Sequence, residues 1–171
     1  MNEQKGFSLI ELLIVVIVIG IIAAIAVPNL IASRRAANES SAIASLRTLH
    51  GANMSYAATF GNGEFSGQSG SVGISCLSDL SAVNLIDGSL GSGSKSNFVF
   101  IGDRVARTPT TVASFYFSAN PVSPSGLART GNRRFGVATD GIVKYDATLS
   151  DLATPFDEAM LQTAAAVPLG D

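Results

Sequence analysis

The sequence predicts an α+β protein in which a long N-terminal α-helix packs against a small antiparallel β-sheet head. Three observations support this fold class. Leu12 to Val27 includes no charged side chain, and an amphipathic helical pattern follows Arg34-Arg35. The second half of the chain then holds three segments rich in β-forming residues, separated by turn-forming Gly, Pro and Asn.

The composition limits the size and the surroundings of the protein. At 171 residues the chain can form one modest domain plus an extended element, but not two full cores. Only 14% of its residues are charged, against about a quarter in an average soluble domain. The net charge of -2 gives no general preference for nucleic acid or anionic membranes. We therefore expect part of the surface to contact lipid or other copies of the chain.

Few residues could support catalysis or metal binding. Cys76 is the only cysteine and His50 the only histidine, which excludes an internal disulfide and argues against a His/Cys metal centre. No GxSxG, HExxH, P-loop or dinucleotide-binding motif occurs. An enzyme on a membrane anchor is an alternative class, but we predict no enzyme, no catalytic residue and no cofactor.

The N-terminal apolar run has the length of a membrane-spanning helix. Leu12 to Val27 spans about 24 Å as a helix, and the residues up to Ile31 extend it to the ~30 Å of a hydrocarbon core. Arg34-Arg35 then end the run. A cleaved secretory signal is the competing interpretation, since Ala24 and Ala26 resemble its small-residue cleavage site. The run is longer than the apolar region of an ordinary signal.

Glu11 is the unusual residue of this segment. A carboxylate within an apolar membrane helix costs roughly 2.5–3.5 kcal/mol on insertion scales. Two interpretations are open. The acid pairs with a cation inside the membrane, or it lies near a membrane face and reaches the water.

The stretch KGFSLIELLIVVIVIGIIAAIAVP resembles the class III signal of type IV pilins. The resemblance implies that a prepilin peptidase cuts between Gly6 and Phe7, on the cytoplasmic side, and that the new Phe7 terminus is N-methylated. Glu11 matches the position of the family's assembly glutamate. The short leader MNEQKG is of the type IVa kind.

The implied cleavage gives a reason for the presence of Glu11 in an apolar segment, because it frees a cationic amine at the start of the helix. One helical turn separates Phe7 from Glu11 within a chain, so we expect the Phe7 amine of a neighbouring subunit to be the better partner. Pro28 lacks an N–H and crowds the carbonyl of Ala24, while Gly20 adds backbone freedom. By resemblance, residues Gly20 to Pro28 are predicted to be helical or kinked in a monomer and extended in a filament.

The second half of the helix is predicted to end at Phe60, before Gly61-Asn62-Gly63. Glu39 and Arg47 are predicted to lie off its apolar stripe, and His50 beside it. The stripe consists of Ile43, Leu46, Leu49, Asn53, Tyr56 and Phe60.

The head is predicted to begin with a Gly/Ser-rich loop that contains a short helix capped by Ser78. Strands follow at Asn97–Gly102, Val112–Asn120 and Arg134–Asp146, and Thr139-Asp140-Gly141 turns the last into a hairpin. Phe156 and Leu161 are expected to hold the tail as a short helix. The predicted core layer comprises Phe98, Phe100, Phe115, Phe117, Phe135 and Ile142.

The resulting division has six parts. They are a leader at 1–6, a transmembrane and filament-core helix at 7–33, its amphipathic half at 34–60, a loop at 61–96, the sheet at 97–148 and a tail at 149–171.

Two charged groups allow several interpretations. The acid-free span that holds Arg104, Arg107, Arg129, Arg133 and Arg134 suits subunit contacts, DNA binding or a solvated face. Asp140, Asp146 and Asp151 are weak calcium candidates, because they lack the ligand spacing of an EF-hand. We otherwise predict no metal site.

The resemblance implies a structural subunit of a type IV pilus. Its partners are other copies in a helical homopolymer, prepilin peptidase, the inner-membrane pilus assembly machinery and the lipid bilayer before assembly. DNA is a possible partner without specific support. The precursor is expected in the inner membrane and the product on the cell surface. The alternatives are the major pseudopilin of a type II secretion system, or a minor pilin.

Overall fold

The computed structural model describes residues 6–148, 150–163 and 166–170, so most of the predicted leader at 1–6 lies outside the described residues. These residues form two compact units, the first ending at Arg34 and the second beginning at Arg35. The elements, in chain order, are α1 (Leu9–Thr59), α2 (Ser75–Ala82), α3 (Gly88–Gly91), β1 (Ser94–Lys95), β2 (Phe98–Val105), β3 (Ser114–Pro121), β4 (Arg134–Ala138), β5 (Val143–Asp146), α4 (Glu158–Gln162) and β6 (Val167–Pro168). The predicted α+β class, with a long N-terminal helix and an antiparallel sheet, is confirmed.

The first unit consists of the N-terminal part of α1 and the short segment before it. The helix continues through Pro28, so residues Gly20 to Pro28 are helical, as predicted for a monomer. Every side chain from Gly6 to Leu30 is exposed. This unit therefore has an apolar surface with no protein covering it.

The second unit contains a six-stranded antiparallel meander with the strand order β1-β2-β3-β4-β5-β6. The sheet extends beyond the predicted range 97–148 at both ends, because β1 and β6 add two residues each. Alternate residues of β3 point to opposite faces. Phe115 and Phe117 pack with Leu46 and Leu49 of α1, while Tyr116 packs on the other face with the C-terminal segment.

The predicted stripe and core are largely correct. Leu46, Leu49 and Asn53 are buried, and α1 ends at Thr59, one residue before the predicted Phe60. Phe60 was wrongly placed on the stripe, because it lies beyond the helix and is 55% exposed. All five phenylalanines of the predicted core layer are buried. Ile142 was wrongly placed there, because it lies in the turn before β5 and is 47% exposed. Its neighbour Val143 pairs with Val137 in the core instead.

The loop after α1 is more ordered than its composition suggests. Asn53 accepts a hydrogen bond from the Ser66 backbone N–H at 2.9 Å, which ties the loop to the helix. The prediction that Ser78 caps α2 was wrong, since α2 begins at Ser75 and no side chain caps it. Cys76 and Leu77 are fully buried, so core packing rather than capping fixes where this helix begins.

The C-terminal segment covers the outer face of the sheet. Phe156 and Leu161 are buried, as predicted, and α4 begins after Asp157, whose carboxylate accepts from the Met160 N–H at 2.7 Å. Gly136 of β4 makes this packing possible. A Cβ there would lie 2.7 Å from Leu161 Cδ2 and 3.0 Å from Phe156 Cδ2.

Candidate functional site

The first turn of α1 holds Glu11 in a specific arrangement. Ser8 precedes the first helical residue, and the Ser8 backbone N–H donates to Glu11 Oε2 at 2.8 Å. The Glu11 N–H in turn donates to the Ser8 carbonyl at 3.1 Å. A Glu three residues after a Ser is the capping-box spacing, in which the carboxylate satisfies an N–H that the helix leaves unpaired. This S-x-x-E spacing is the sequence signal that could have predicted the contact between Ser8 and Glu11.

The predicted cleavage position lies just before this turn. Gly6 and Phe7 are outside the helix and exposed, and the Phe7 side chain is 93% accessible. Phe7 and Glu11 line one shallow groove together with Leu12, Ile14 and Val15. The structure thus brings together the two residues that the sequence assigned to processing and assembly.

The exposed apolar surface continues from this groove along the first half of α1. Among the described helices, α1 is the one long and apolar enough to cross a membrane. Asn29 lies near the end of this exposed apolar surface, and its side-chain amide donates to the Ile25 carbonyl at 3.1 Å. The Ser33 hydroxyl donates to the Asn29 carbonyl at 2.9 Å. These polar groups are satisfied within the helix, so they interrupt the apolar surface little.

Gly20 has no packing role in the structure. A Cβ built there meets no heavy atom within 4 Å, so an alanine would fit. Pro28 leaves the Ala24 carbonyl without its usual intrahelical donor. Both residue types weaken a helix locally, and flexibility between them stays a prediction.

The loop 122–132, here called the latch loop, is fastened to the second half of α1 by polar residues. Arg35 donates to the Leu127 carbonyl at 2.8 Å and to the Arg129 carbonyl at 3.1 Å. The Asn38 amide donates to the Thr130 carbonyl at 3.0 Å.

Glu39 completes the attachment of the latch loop. Its carboxylate accepts from the Asn132 N–H at 2.6 Å and pairs with Arg133 at 2.8 Å. The prediction that Glu39 lies off the buried side of α1 was therefore wrong, since it is only 4% exposed. Its burial is possible because both carboxylate oxygens have charged or N–H partners. Arg47, by contrast, is exposed as predicted.

Arg134 fastens the C-terminal segment to the sheet. It is 5% exposed, pairs with Asp146 at 2.8 Å, donates to the Thr154 carbonyl at 2.6 Å and lies 4.3 Å from the Phe156 ring centroid. Burial alone would raise the pKa of Asp146, but hydrogen bonds from Thr148 and Arg134 outweigh it and hold that pKa below its ordinary value.

The three calcium candidates are not gathered around one point. Asp146 and Asp151 lie 2.8 and 4.0 Å from Arg134, whereas Asp140 lies 3.5 Å from Lys144. Within the described ranges, no three His, Cys, Asp or Glu side chains are close enough to share a metal ion. The acid-free basic span is also partly used inside the head, since Arg104 pairs with Glu64 at 2.7 Å.

The single histidine and the single cysteine have packing roles. The His50 ring lies 5.5 Å from that of Phe115 and 3.4 Å from the Thr139 carbonyl. Cys76 is buried, and desolvation, followed by the charge of Asp103, raises the pKa of its thiol to about 11. The thiol therefore stays protonated at neutral pH.

Comparison with known proteins gives matches at the N-terminus. Residues 1–27 match the family described as prokaryotic N-terminal methylation motif. The type IV wide pilus major component PilA4 of Thermus thermophilus is 56% identical over 39 residues, which cover 23% of this chain and 30% of that protein. The type IV major pilin protein PilA of Myxococcus xanthus is 48% identical over 54 residues, or 32% and 24%.

A second group of relatives belongs to a secretion system. The type II secretion system core protein G of Klebsiella pneumoniae is 35% identical over 52 residues, which cover 30% of this chain and 37% of that protein. These matches thus span between 24% and 37% of the relatives' own length. No solved structure matches the chain. The predicted resemblance to type IV pilins, with type II secretion pseudopilins as relatives, is confirmed for the N-terminal segment.

Proposed function

We propose that this chain is a pilin-like structural subunit, which is inserted in the inner membrane and then polymerises through the first half of α1. The observation that carries the proposal is the methylation motif on a helix whose apolar side chains are all exposed from Leu9 to Leu30. Such a surface needs lipid or other helices around it. The proposed role is structural rather than enzymatic.

Processing of the N-terminus prepares the subunit to leave the lipid and pack against the helices of other subunits. Prepilin peptidase hydrolyses the Gly6–Phe7 peptide bond on the cytoplasmic side, and the released Phe7 amine is then methylated. Methylation retains the positive charge of the amine. The exposure of Gly6 and Phe7 supports access to the cleavage site and to the new N-terminus.

Glu11 selects the position of the incoming subunit. In the single chain its carboxylate accepts from the Ser8 N–H, and in the filament it also pairs with the Phe7 amine of a neighbour. Two opposite charges that meet in an apolar environment compensate the desolvation of each other. Residues Gly20 to Pro28 become extended as the helices pack.

Two substitutions of Glu11 test whether assembly needs its charge or its hydrogen bond with the Ser8 N–H. Glu11→Ala removes both the cap and the charge, whereas Glu11→Gln keeps a side-chain oxygen for the Ser8 N–H and removes only the charge. We expect both variants to insert and to be cleaved, and neither to form filaments that electron microscopy can detect. Filaments from Glu11→Gln would show that capping, not charge pairing, is what assembly needs.

The alternative is the major pseudopilin of a type II secretion system, supported by the match to core protein G. Microscopy of sheared cell surfaces distinguishes the two. Long extracellular fibres whose subunit begins at methylated Phe7 by mass spectrometry favour a pilus, and short periplasmic fibres favour a pseudopilus.

A further inference from the structure

We infer that an acidic groove on the outer face of the sheet binds the Arg47 side chain of a neighbouring copy. The acidic groove is lined by Asp103, Tyr116, Asp157 and Glu158. It belongs to the second unit, as Arg47 does. The inference rests on the proposed function, because it adds a contact between heads to the polymer that α1 forms.

The acidic groove lies where the start of α4 meets the strands β2 and β3. Asp103 and Tyr116 are cross-strand partners, so their side chains share the outer face. Asp157 and Glu158 border the other side of the groove, which is shallow and has a volume of about 530 Å³. The groove can therefore admit a side chain of another protein, but it does not enclose a small molecule.

Two buried polar groups face the acidic groove with hydrogen-bonding capacity left over. Tyr116 is 6% exposed, and within the described residues its hydroxyl has no hydrogen-bond partner. Asp103 is 9% exposed. Its Oδ1 accepts from the backbone N–H groups of Ser71 at 3.1 Å and Arg104 at 2.7 Å, whereas its Oδ2 accepts from no described residue. Because buried polar groups normally have partners, this pair indicates a ligand that carries N–H donors.

The acidic groove also lacks a cation. The ion pairs among the described residues all involve acids other than Asp103, Asp157 and Glu158. Burial, followed by the charges of Asp103 and Asp157, raises the pKa of the Tyr116 hydroxyl to about 12, so that hydroxyl stays protonated at neutral pH. A positively charged ligand offsets the repulsion between these groups.

A guanidinium group matches this arrangement better than a metal ion does. Within the described ranges, no three acidic, His or Cys side chains converge on one point, as a metal ion requires. A guanidinium is planar and carries several N–H donors, so it can reach separate acceptors and also lie over an aromatic ring. The head already uses this chemistry, since Arg134 pairs with Asp146 and lies 4.3 Å from the Phe156 ring centroid.

Arg47 is the arginine that suits an open-ended polymer. It is exposed on the side of α1 away from the sheet, and within the described residues it forms no hydrogen bond or ion pair. The acidic groove lies on the opposite side of the same head, so the contact joins unlike surfaces and repeats from copy to copy. Arg107 is also exposed, but its loop adjoins the groove at Thr111. A contact through Arg107 would pair like surfaces and close a dimer.

Cysteine cross-linking in filaments of the full-length chain tests the contact. The substitution Ala44→Cys lies about one turn before Arg47 on the exposed side of α1, and Gln162→Cys lies in the wall of the acidic groove. The two positions flank opposite faces of the sheet, so a disulfide between them must join two copies. Native Cys76 is buried with a raised thiol pKa and therefore reacts little.

We expect the double variant to give a ladder of covalent multimers on a non-reducing gel, whereas each single variant gives dimers at most. Adding Arg47→Gln should lower the cross-linked fraction several-fold, and adding Arg107→Gln, the matched control, should not. A ladder that Arg47→Gln leaves unchanged overturns the inference. Filaments without a ladder also overturn it but leave the proposed function standing, whereas a wild-type chain that forms no filaments overturns both.

Discussion

Arg134 donates two hydrogen bonds to the same oxygen of Asp146, from Nε at 3.1 Å and from Nη2 at 2.8 Å. The side chains of both residues are largely buried, at 6% and 11% exposure. Because the guanidinium also contacts Thr154 and Phe156, one side chain joins β4, β5 and the C-terminal segment. An internal disulfide cannot hold this region, because Cys76 is the only cysteine of the sequence.

Arg134→Met should destabilise the head by about 3–5 kcal/mol, because it leaves the Asp146 carboxylate buried without its counter-ion. Denaturant unfolding of the detergent-solubilised protein measures this loss. Lys95→Met is the control, since it removes the exposed pair with Asp87 and should cost at most about 1 kcal/mol. Equal losses in the two variants would contradict the proposed role of Arg134.

The Asp146 carboxylate should make stability depend on acidic pH. Its pKa in the folded protein is lower than the ordinary value of 3.8, so the unfolded state binds the proton more readily. The stabilisation is therefore complete above that ordinary value and is lost as pH falls through the lower folded value. Asp146→Asn should flatten this part of the unfolding free energy measured against pH. A residual slope is expected from Asp87, whose pKa a hydrogen bond from Lys95 lowers.

Gly20→Ala should leave the monomer folded but reduce its assembly into filaments. The added methyl group fits in the monomer and should favour helix by up to about 1 kcal/mol. If residues 20–28 must become extended, filament yield should fall although circular dichroism of the monomer is unchanged. Gly51→Ala, also in α1 with open space around it, should assemble normally. Equal filament yields from the two variants would show that assembly does not depend on the flexibility of Gly20.

Glu39→Ala should release the latch loop. The Asn132 N–H and the Arg133 guanidinium both lose their acceptor, at a cost of about 1–3 kcal/mol. Hydrogen exchange should accelerate at Asn132 and along 122–132, while the strands stay protected. Arg47→Ala, which removes a charge from the exposed side of the same helix, should leave exchange in the loop unchanged. A loop that stays protected in Glu39→Ala would contradict the attachment.

The sequence predicted those features that short periodic patterns determine. The alternation in β2 and β3 identified Phe98, Phe100, Phe115 and Phe117 as core, and the spacing of Leu46 and Leu49 identified the buried side of α1. Glu11 stood out as a carboxylate beside an apolar run, and its role in assembly stays a prediction. Each of these inferences depends on residues within about two helical turns of one another.

The remaining features depend on contacts between distant parts of the chain. Glu39 meets Arg133 across 94 positions, and Arg134 meets Thr154 across 20, so no local pattern distinguishes these charges from solvated ones. Ile142 was misplaced because a shift of one residue reverses the face of a strand. The strand β6 has two residues, too few to show any alternation.

The two outermost strands of the sheet also limit how the head can associate. β1 and β6 offer two residues each, and one of them, Pro168, has no N–H to give. Backbone hydrogen bonding to a strand of another molecule is therefore disfavoured at both edges of the sheet. If the chain polymerises as proposed, neighbouring heads can touch without joining into a continuous sheet between molecules, and growth then depends on the stacking of helices.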